Sequence, residues 1–350
     1  MTVKAFEVSN RRELDIFIRM PGVIYYDDPL WTPPSPHQVL NKLMQISPQD
    51  LILLVAVENN SVVGRVAGMI NRRQQEKDTA LFGYFECVNN EQAAKELFKE
   101  LELWAVKKGY RCLSGPVSCN TNDSIGLLVE GFNLPPKNGM PYNPYYYSHL
   151  LEKCGFKKQL DLLAYHWTNR HPVPEKLARI AKKVYQTKGL VLRPINLANI
   201  YREAQLLSVI HNETMQDNWG AERLSVTDAA QYLSNYRSFA DPELLLAVEI
   251  NGEPAGVCLT LPEQHSQSCR VAVLAVVPKY RKRGVAALLM YETMLRVQRR
   301  GYKEAELSLI MESNTMMNRI LQNTFNFKVS KRFRLYNKQL EAQQLCSNLS

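Results

Sequence analysis

The architecture of this chain is clearest in residues 270–287, which read Arg270-Val271-Ala272-Val273-Leu274-Ala275-Val276-Val277-Pro278-Lys279-Tyr280-Arg281-Lys282-Arg283-Gly284-Val285-Ala286-Ala287. The run before Pro278 is apolar and rich in β-branched residues, so it predicts a buried strand that the proline stops abruptly. After the basic turn, the spacing of apolar residues predicts an amphipathic helix from about Val285 to Arg299. The sequence therefore places a strand, a basic turn and a helix start in direct succession.

The turn at residues 281–287 has the composition of an anion-binding site. The start of a helix presents unpaired backbone N–H groups and the positive end of the helix dipole to a bound anion. Gly284 is expected to let the backbone approach a diphosphate, while Arg281 and Arg283 add charge-assisted hydrogen bonds. The P-loop and Rossmann glycine patterns are absent from the sequence. The alternative is a basic turn that caps a helix without binding a ligand.

The two halves of the chain repeat one pattern of elements. Val57 and Val248 lie in matching apolar runs and are 191 residues apart (248 − 57), and Gly109 and Gly301 are 192 residues apart (301 − 109). Each copy predicts a β-hairpin, a third apolar strand and an amphipathic helix that stops at its glycine. The first half also carries a polar insertion at about 118–144, and an ordered loop of this kind is typical of a functional site.

Composition indicates a folded protein with reduced thiols and a polyanionic partner. A length of 350 residues predicts two domains. The seven cysteines are scattered, and no stretch resembles a secretion signal or a membrane span, so we expect a cytoplasmic location. A net charge of +9 suits nucleic acid, an anionic membrane surface or a phosphate-rich cofactor, and charge by itself does not choose among them.

The pattern Val277-Pro278-x-Tyr280-Arg281-x-x-Gly284-x-Ala286 resembles the acetyl-CoA signature of the GNAT superfamily, usually written Arg/Gln-x-x-Gly-x-Gly/Ala. The resemblance implies an acyl-CoA co-substrate, either acetyl-CoA or a longer acyl-CoA. It also implies that the backbone at Val276 and Val277 pairs with the pantetheine arm. Asn314, an expected helix N-cap, would reach the cofactor as it does in relatives. The diphosphate would be held by Arg281 and by the amides of Lys282, Arg283, Gly284, Val285, Ala286 and Ala287.

Further motifs run along nearly the whole chain: Asp28-Pro29-x-Trp31-x-Pro33-Pro34, Asn122-Asp123-x-x-Gly126-Leu127-Leu128-Val129-Glu130-Gly131-Phe132, Met140-Pro141-Tyr142-Asn143-Pro144-x-Tyr146, Asn218-Trp219-Gly220, Glu312-x-Asn314 and Arg334-x-Tyr336. They resemble those of the tandem-GNAT family that includes bacterial ceramide synthase. The resemblance implies a mixed α/β fold of two GNAT-like domains, each a mixed, mostly antiparallel sheet flanked by helices. The expected divisions are residues 1–168, a linker and helix at 169–189, a second domain at 190–340 with the acyl-CoA loop, and a tail at 341–350.

The first half lacks the features of the anion site. Its corresponding turn reads Asn89-Asn90-Glu91-Gln92-Ala93-Ala94, without arginine or glycine, and Glu91 would repel a diphosphate. We therefore expect one acyl-CoA site per chain, with the first half free to shape the acceptor site.

Catalytic residues are harder to assign. Many GNAT enzymes carry a tyrosine five residues before a Gly-Phe pair, where it protonates the leaving thiolate; the corresponding positions here are Gln322 and Leu151. Glu312 is a candidate proton acceptor, with the alternative that it only complements a helix dipole. Glu130 and Tyr142 are further catalytic candidates, and they could instead only pin the insertion. Acceptor-site candidates are Asn122, Asp123, Tyr146 and Trp219, of which Asp123 and Tyr146 could also serve in proton transfer.

These observations predict an N-acyltransferase that moves an acyl group from acyl-CoA to a primary amine by direct transfer. The alternative is a non-catalytic acyl-CoA sensor or scaffold. The acceptor is expected to be a small-molecule or lipid amine. No metal is expected, because the histidines lack ligand spacing, and no nucleic acid is expected. Peripheral membrane contact and the oligomeric state stay open.

Overall fold

The computed structural model of the chain describes residues 3–118, 124–170, 172–216, 218–263 and 266–341. It forms two compact units: the first is Met1–Leu162 with Lys331–Ser350, and the second is Leu163–Ser330. Each unit has an apolar core of its own. In chain order the elements are β1 (Val3–Glu7), α1 (Arg11–Arg19), α2 (Pro21–Ile24), α3 (Pro36–Met44), β2 (Leu51–Glu58), β3 (Ser61–Met69), β4 (Thr79–Cys87), α4 (Glu91–Lys107), β5 (Cys112–Gly115), β6 (Leu127–Glu130), α5 (Tyr147–Lys153), β7 (Lys157–Thr168), α6 (Glu175–Val184), β8 (Leu190–Pro194), α7 (Ile200–Thr214), α8 (Val226–Tyr236), β9 (Leu245–Ile250), β10 (Glu253–Pro262), β11 (Ser268–Val276), α9 (Val285–Arg299), β12 (Glu304–Met311), α10 (Thr315–Arg319) and β13 (Lys328–Gln339).

The first unit contains a mixed sheet in the order β1-β2-β3-β4-β5-β13, with β6 paired to β13. Only β4 and β5 run parallel among these pairs. The hairpin of β2 and β3 closes at Asn59 and Asn60, whose φ angles are 49° and 66°. Asparagine tolerates this left-handed conformation, which a two-residue hairpin turn requires.

The second unit repeats this arrangement in the order β12-β11-β10-β9-β8, with β11 and β12 parallel. Its hairpin closes at Asn251 and Gly252, again with positive φ angles of 54° and 79°. The predicted hairpins and the helix at Val285–Arg299 are therefore confirmed. The predicted helix after Asn314 is divided, since α10 is followed by a π-helical turn at Ile320–Thr324.

Equivalent helices pack on equivalent strands in the two units. A Cβ atom at Gly64 on β3 would lie 2.9 Å from Leu97 Cδ1 on α4. A Cβ atom at Gly256 on β10 would lie 3.1 Å from Leu289 Cδ1 on α9. Each glycine lets a leucine of the helix approach the sheet closely. The two leucines, Leu97 and Leu289, are 192 residues apart (289 − 97). The same packing solution in both halves shows two tandem copies of one mixed α/β unit.

The last strand, β13, returns to the first unit. Residues Tyr336–Gln339 pair antiparallel with Gly115–Cys112 of β5, and Tyr336 is fully buried. The boundaries drawn from the sequence kept residues up to 340 with the second half, whereas these hydrogen bonds place the chain from Lys331 onward in the first unit. An apolar strand pattern predicts a strand but carries no information about its partner.

Candidate functional site

The basic turn lies between β11 and α9, as a sharp bend. A short 3-10 turn at Pro278–Tyr280 follows β11. The side chain of Tyr280 is buried, and its hydroxyl donates a hydrogen bond to Glu253 Oε2 at 2.8 Å. Lys282 and Gly284 then adopt left-handed φ angles of 61° and 82°. The side chains of residues 281–283 are exposed. We call residues 281–287 the cradle.

The cradle has backbone donors without protein partners. No side chain caps α9, and in the described part of the chain no carbonyl accepts a hydrogen bond from the amides of residue 282 or residues 284–287. The amide of Arg283 donates to Tyr280 O, and the amide of Leu288 begins the helical ladder by donating to Gly284 O. Unpaired amides at a helix start, next to three exposed cationic side chains, suit a phosphate-bearing ligand.

Gly284 also has a role in the packing of the second unit. A Cβ atom at this position would lie 2.6 Å from Val184 Cγ2 and 3.0 Å from Ile180 Cγ2, so this side of the residue faces α6. The glycine is needed because the backbone is left-handed and α6 packs closely against it.

The two central strands of the second unit separate beside the cradle. Pairing of β11 with β12 ends at Val271 and Leu307, although β11 runs on to Val276 and β12 to Met311. The amide of Val277 donates to Ala255 O on the other side at 3.0 Å. Because backbone groups alternate along a strand, those of Val276 face away from β10, toward the separated β12. An extended ligand can add to this unpaired strand edge. The amide of Val276 is available to it, whereas the carbonyl oxygen of Val276 accepts from Arg281 Nε at 3.2 Å and the amide of Val277 is occupied.

The equivalent place in the first unit is filled by the chain itself. At the end of β4, the amide of Cys87 donates to the Tyr147 hydroxyl at 2.9 Å, and the Tyr146 hydroxyl donates to Cys87 O at 3.0 Å. The start of α4 is capped by Asn90, whose side-chain oxygen accepts from the amides of Gln92 and Ala93 at 2.9 and 3.1 Å. The amides of Gln92 and Ala93, which correspond to those of Ala286 and Ala287 in the cradle, are thus already paired in the first unit.

Two of the predicted site residues lie on the same unit and edge as the cradle. Glu312 follows the carboxyl end of β12, and its backbone carbonyl accepts from Asn318 Nδ2 at 3.2 Å. Asn314 caps α10 through a hydrogen bond from the Met317 amide at 3.2 Å, as expected. Carboxyl ends of parallel strands meet at one edge of a sheet, which brings the segments after β11 and β12 together.

The candidates from the insertion lie in the first unit and already have partners. The Tyr142 hydroxyl donates to Asp28 Oδ2 at 2.7 Å, and burial, together with this hydrogen bond, raises the pKa of Tyr142 to about 12. Burial likewise raises the pKa of Tyr146 to about 12. Glu130 is exposed and forms an ion pair with Arg332 at 3.1 Å. Both tyrosines are therefore protonated at neutral pH and suit the role of a proton donor rather than that of a general base.

The remaining acceptor-site candidates are less informative. Trp219 lies in the second unit, after α7, and is partly buried. Asn122 and Asp123 fall outside the described residues.

A tyrosine that the sequence did not single out meets the last helix. Tyr165 of β7 is fully buried, accepts a hydrogen bond from Gln322 Nε2 at 2.9 Å and donates to Asn318 Oδ1 at 3.0 Å. Gln322 is the position at which the GNAT resemblance implied a tyrosine. The tyrosine hydroxyl beside this position thus comes from β7, 157 residues earlier in the chain. A local sequence pattern cannot reveal a contact over that distance.

A second unpredicted group lies where β11 and β12 separate. Arg270 Nε donates to Ser308 Oγ at 3.0 Å, and the Ser308 hydroxyl donates to Glu306 Oε1 at 2.9 Å. Burial lowers the pKa of Arg270, and the carboxylate of Glu306 opposes this shift. These three polar side chains are anchored to one another at the base of the strand opening.

The described residues include no group of three or more His, Cys, Asp or Glu side chains arranged to bind a metal. In the described ranges, no helix is both long and apolar enough to cross a membrane.

Comparison with known proteins places these features in a family. Residues 207–327 match the model of the Acetyltransferase (GNAT) family. Protein YghO of Escherichia coli (strain K12) is 30% identical over 95% of this chain and 94% of its own length. Bacterial ceramide synthase of Caulobacter vibrioides (strain NA1000 / CB15N) is 26% identical over 95% of this chain and 96% of its own length.

A solved structure has the same tandem arrangement. The tandem GNAT protein from the clavulanic acid biosynthesis pathway superposes with a TM-score of 0.60, covering 97% of this chain and 99% of that one at 12% identity. This likeness shows the fold. The chain therefore belongs to the acetyltransferase (GNAT) family, in the tandem group that includes bacterial ceramide synthase.

Proposed function

We propose that the chain is an N-acyltransferase that binds an acyl-CoA in the second unit and transfers the acyl group directly to a primary amine. Family membership supports acyl transfer in general and acyl-CoA as the co-substrate. The observation that carries the proposal is the cradle, where unpaired amides and three cations stand at the end of an open strand edge. Scattered, buried free cysteines support a cytoplasmic location.

Each part of the co-substrate has a proposed partner. The diphosphate lies on the unpaired amides of residue 282 and residues 284–287, with Arg281 and Arg283 neutralising its charge. The pantetheine arm runs along the edge of β11 and pairs with Val276, and Asn314 approaches it from the end of β12. The partly exposed side chains of residues 271–274 give this arm an apolar wall.

Two protons must move during the reaction. The attacking amine loses one, for which Glu312 is the proposed acceptor, directly or through a water molecule. The leaving thiolate gains one, for which we propose Tyr165, oriented by Asn318 and Gln322. The oxyanion is proposed to accept a backbone hydrogen bond on β11.

The acceptor amine is proposed to be a small molecule or a lipid. The name of the relative bacterial ceramide synthase supports a lipid amine, while the proposal covers both classes. Asn122, Asp123, Tyr146 and Trp219 remain its proposed contacts, and Glu130 and Tyr142 remain further candidates for a catalytic role.

Titration calorimetry with CoA, followed by a thiol-release assay with acetyl-CoA and longer acyl-CoAs over a panel of amines, tests the proposal. We expect saturable CoA binding and amine-dependent thiol release. Absence of CoA binding at millimolar concentration would remove the proposal. Binding without thiol release for any amine would favour the alternative, an acyl-CoA sensor, which the glutamine at position 322 supports.

Replacement of Tyr165 by phenylalanine tests its proposed role. We expect kcat to fall by about 100-fold, the scale of general acid catalysis, with CoA affinity retained. The deficit should shrink when the leaving thiol of the donor has a lower pKa, because such a thiolate needs less protonation. A matched control is Tyr147→Phe, which removes the buried tyrosine hydroxyl that fills the strand edge of the first unit. A folded Tyr165→Phe variant with wild-type kcat would contradict the assignment.

A further inference from the structure

A cavity of about 30 Å³ lies in the second unit between α9 and the sheet. Its volume exceeds the roughly 10–15 Å³ that a water molecule needs. Its lining is nearly all apolar. The Thr293 hydroxyl already donates to Cys258 Sγ at 3.2 Å, which leaves the indole N–H of Trp167 as the one side-chain donor in the lining without a partner. A buried water molecule needs two or more polar partners, so the cavity suits hydrocarbon better than water.

The cavity begins where β11 and β12 separate. Val271 and Leu307, the last pair that joins these strands, both line it, as does Leu274 further along the open edge of β11. Val271 and Leu274 are only partly buried, whereas Met290 and Met294 on the α9 side are buried. The space therefore extends inward from the open strand edge toward the core.

The first unit fills the equivalent space with aromatic rings. Phe82, Phe98 and Phe156 pack with ring centroids 4.7 to 5.3 Å apart. Phe82 corresponds to Val271, because each lies three residues after the start of its strand. Phe98 corresponds to Met290, because each follows the leucine that packs on the equivalent glycine. The cavity exists because Val and Met replace two phenylalanines in the unit that also carries the cradle.

We propose that this cavity receives the hydrocarbon chain of the acyl donor beyond its carbonyl group, so that the preferred donor is longer than acetyl-CoA. The inference rests on the proposed function, because it places the thioester at the inner end of the open edge of β11. Two methionines in the wall suit this role, since their unbranched side chains adjust to chains of different length. Each methylene that becomes fully buried should tighten binding about fourfold.

The test is the affinity of straight-chain acyl-CoAs from acetyl to decanoyl, each expressed relative to CoA itself. We expect hexanoyl-CoA to bind at least about tenfold more tightly than acetyl-CoA. Met290→Phe, which installs the residue of the first unit, should reduce this ratio toward one. The reverse substitution in the first unit, Phe98→Met, is the matched control and should leave the ratio unchanged.

A second variant keeps the inference testable if Met290→Phe does not fold. Ala305 lines the cavity on β12, and leucine already stands at its counterpart in the first unit, Leu113, so Ala305→Leu suits the backbone. It should lower the same ratio. Equal affinity for all chain lengths in the wild type, or an unchanged ratio in both folded variants, would overturn the inference while CoA binding still supported the proposed function. Failure of CoA itself to bind would overturn both.

Discussion

Replacing Ala286 by glutamate is expected to weaken CoA binding by about 100-fold or more. Ala286 is the second residue of α9, within the run of unpaired amides, and is partly exposed. A carboxylate about 5 Å from a diphosphate costs on the order of 3 kcal/mol per opposing charge at an effective dielectric constant of 20, which corresponds to about 100-fold in affinity. The fold should tolerate the change, because an acidic residue in the first turn complements the helix dipole.

The matched control is Gln92→Glu, at the second residue of α4. It adds the same charge at the same position of the equivalent helix, whose donors are already bound by Asn90. Titration calorimetry should give wild-type affinity for this control. Equal affinity of Ala286→Glu and wild type would show that the diphosphate does not bind at the cradle, whatever the activity of the chain.

Replacing Arg65 by methionine should destabilise the protein by about 3–5 kcal/mol, the usual cost of removing one partner of a buried ion pair and leaving the other charge uncompensated. Arg65 is buried in the first unit, donates from Nη1 to Phe17 O at 2.6 Å and lies 3.8 Å from Glu86. Glu86 also accepts from the hydroxyls of Tyr25 and Tyr147 at 2.9 and 2.7 Å. Without the Arg65 guanidinium, the buried Glu86 carboxylate would keep hydrogen bonds as its only stabilising contacts.

The loss should depend on pH. Burial raises the pKa of Glu86 and Arg65 opposes the shift, so removing Arg65 raises it further. A folded-state pKa above the unfolded value means that stability is fully present below the unfolded pKa and falls as pH rises through the folded pKa. The difference between Arg65→Met and wild type should therefore be larger at pH 7.5 than at pH 5, as measured by urea unfolding.

A double variant separates charge from packing. Arg65→Met with Glu86→Gln removes the stranded charge, so it should be more stable than Arg65→Met alone at pH 7.5. If the two variants unfold at the same urea concentration at both pH values, the carboxylate is not the source of the loss.

The local elements of the second half could be predicted closely. The helix Val285–Arg299 has the bounds that periodicity indicated, and Asn314 caps its helix. These features depend on residues within a few positions of one another, so apolar spacing and cap chemistry are sufficient to predict them. The cradle could be located for the same reason, because a strand, a basic turn and a helix start are contiguous in the chain.

Features that depend on distant partners could not be predicted. Tyr165 meets Gln322 across 157 residues, and Tyr146 and Tyr147 reach Cys87 across about 60 residues to fill the strand edge of the first unit. The packing role of Gly284 could not be predicted either, since nothing near it in the chain indicates that Val184 packs against it. Side-chain contacts of this kind are set only when helices and strands pack.

The sequence by itself determined that the chain has two copies of a mixed α/β unit and that only the second carries a basic helix start, because both facts lie in short-range patterns. The tertiary structure decided the pairing of β13 in the first unit and the parting of β11 from β12. It also decided which amides stay unpaired and where a cavity forms. Strand partners and packing volumes depend on surfaces that meet only in the folded chain, and neither a repeat nor a motif encodes them locally.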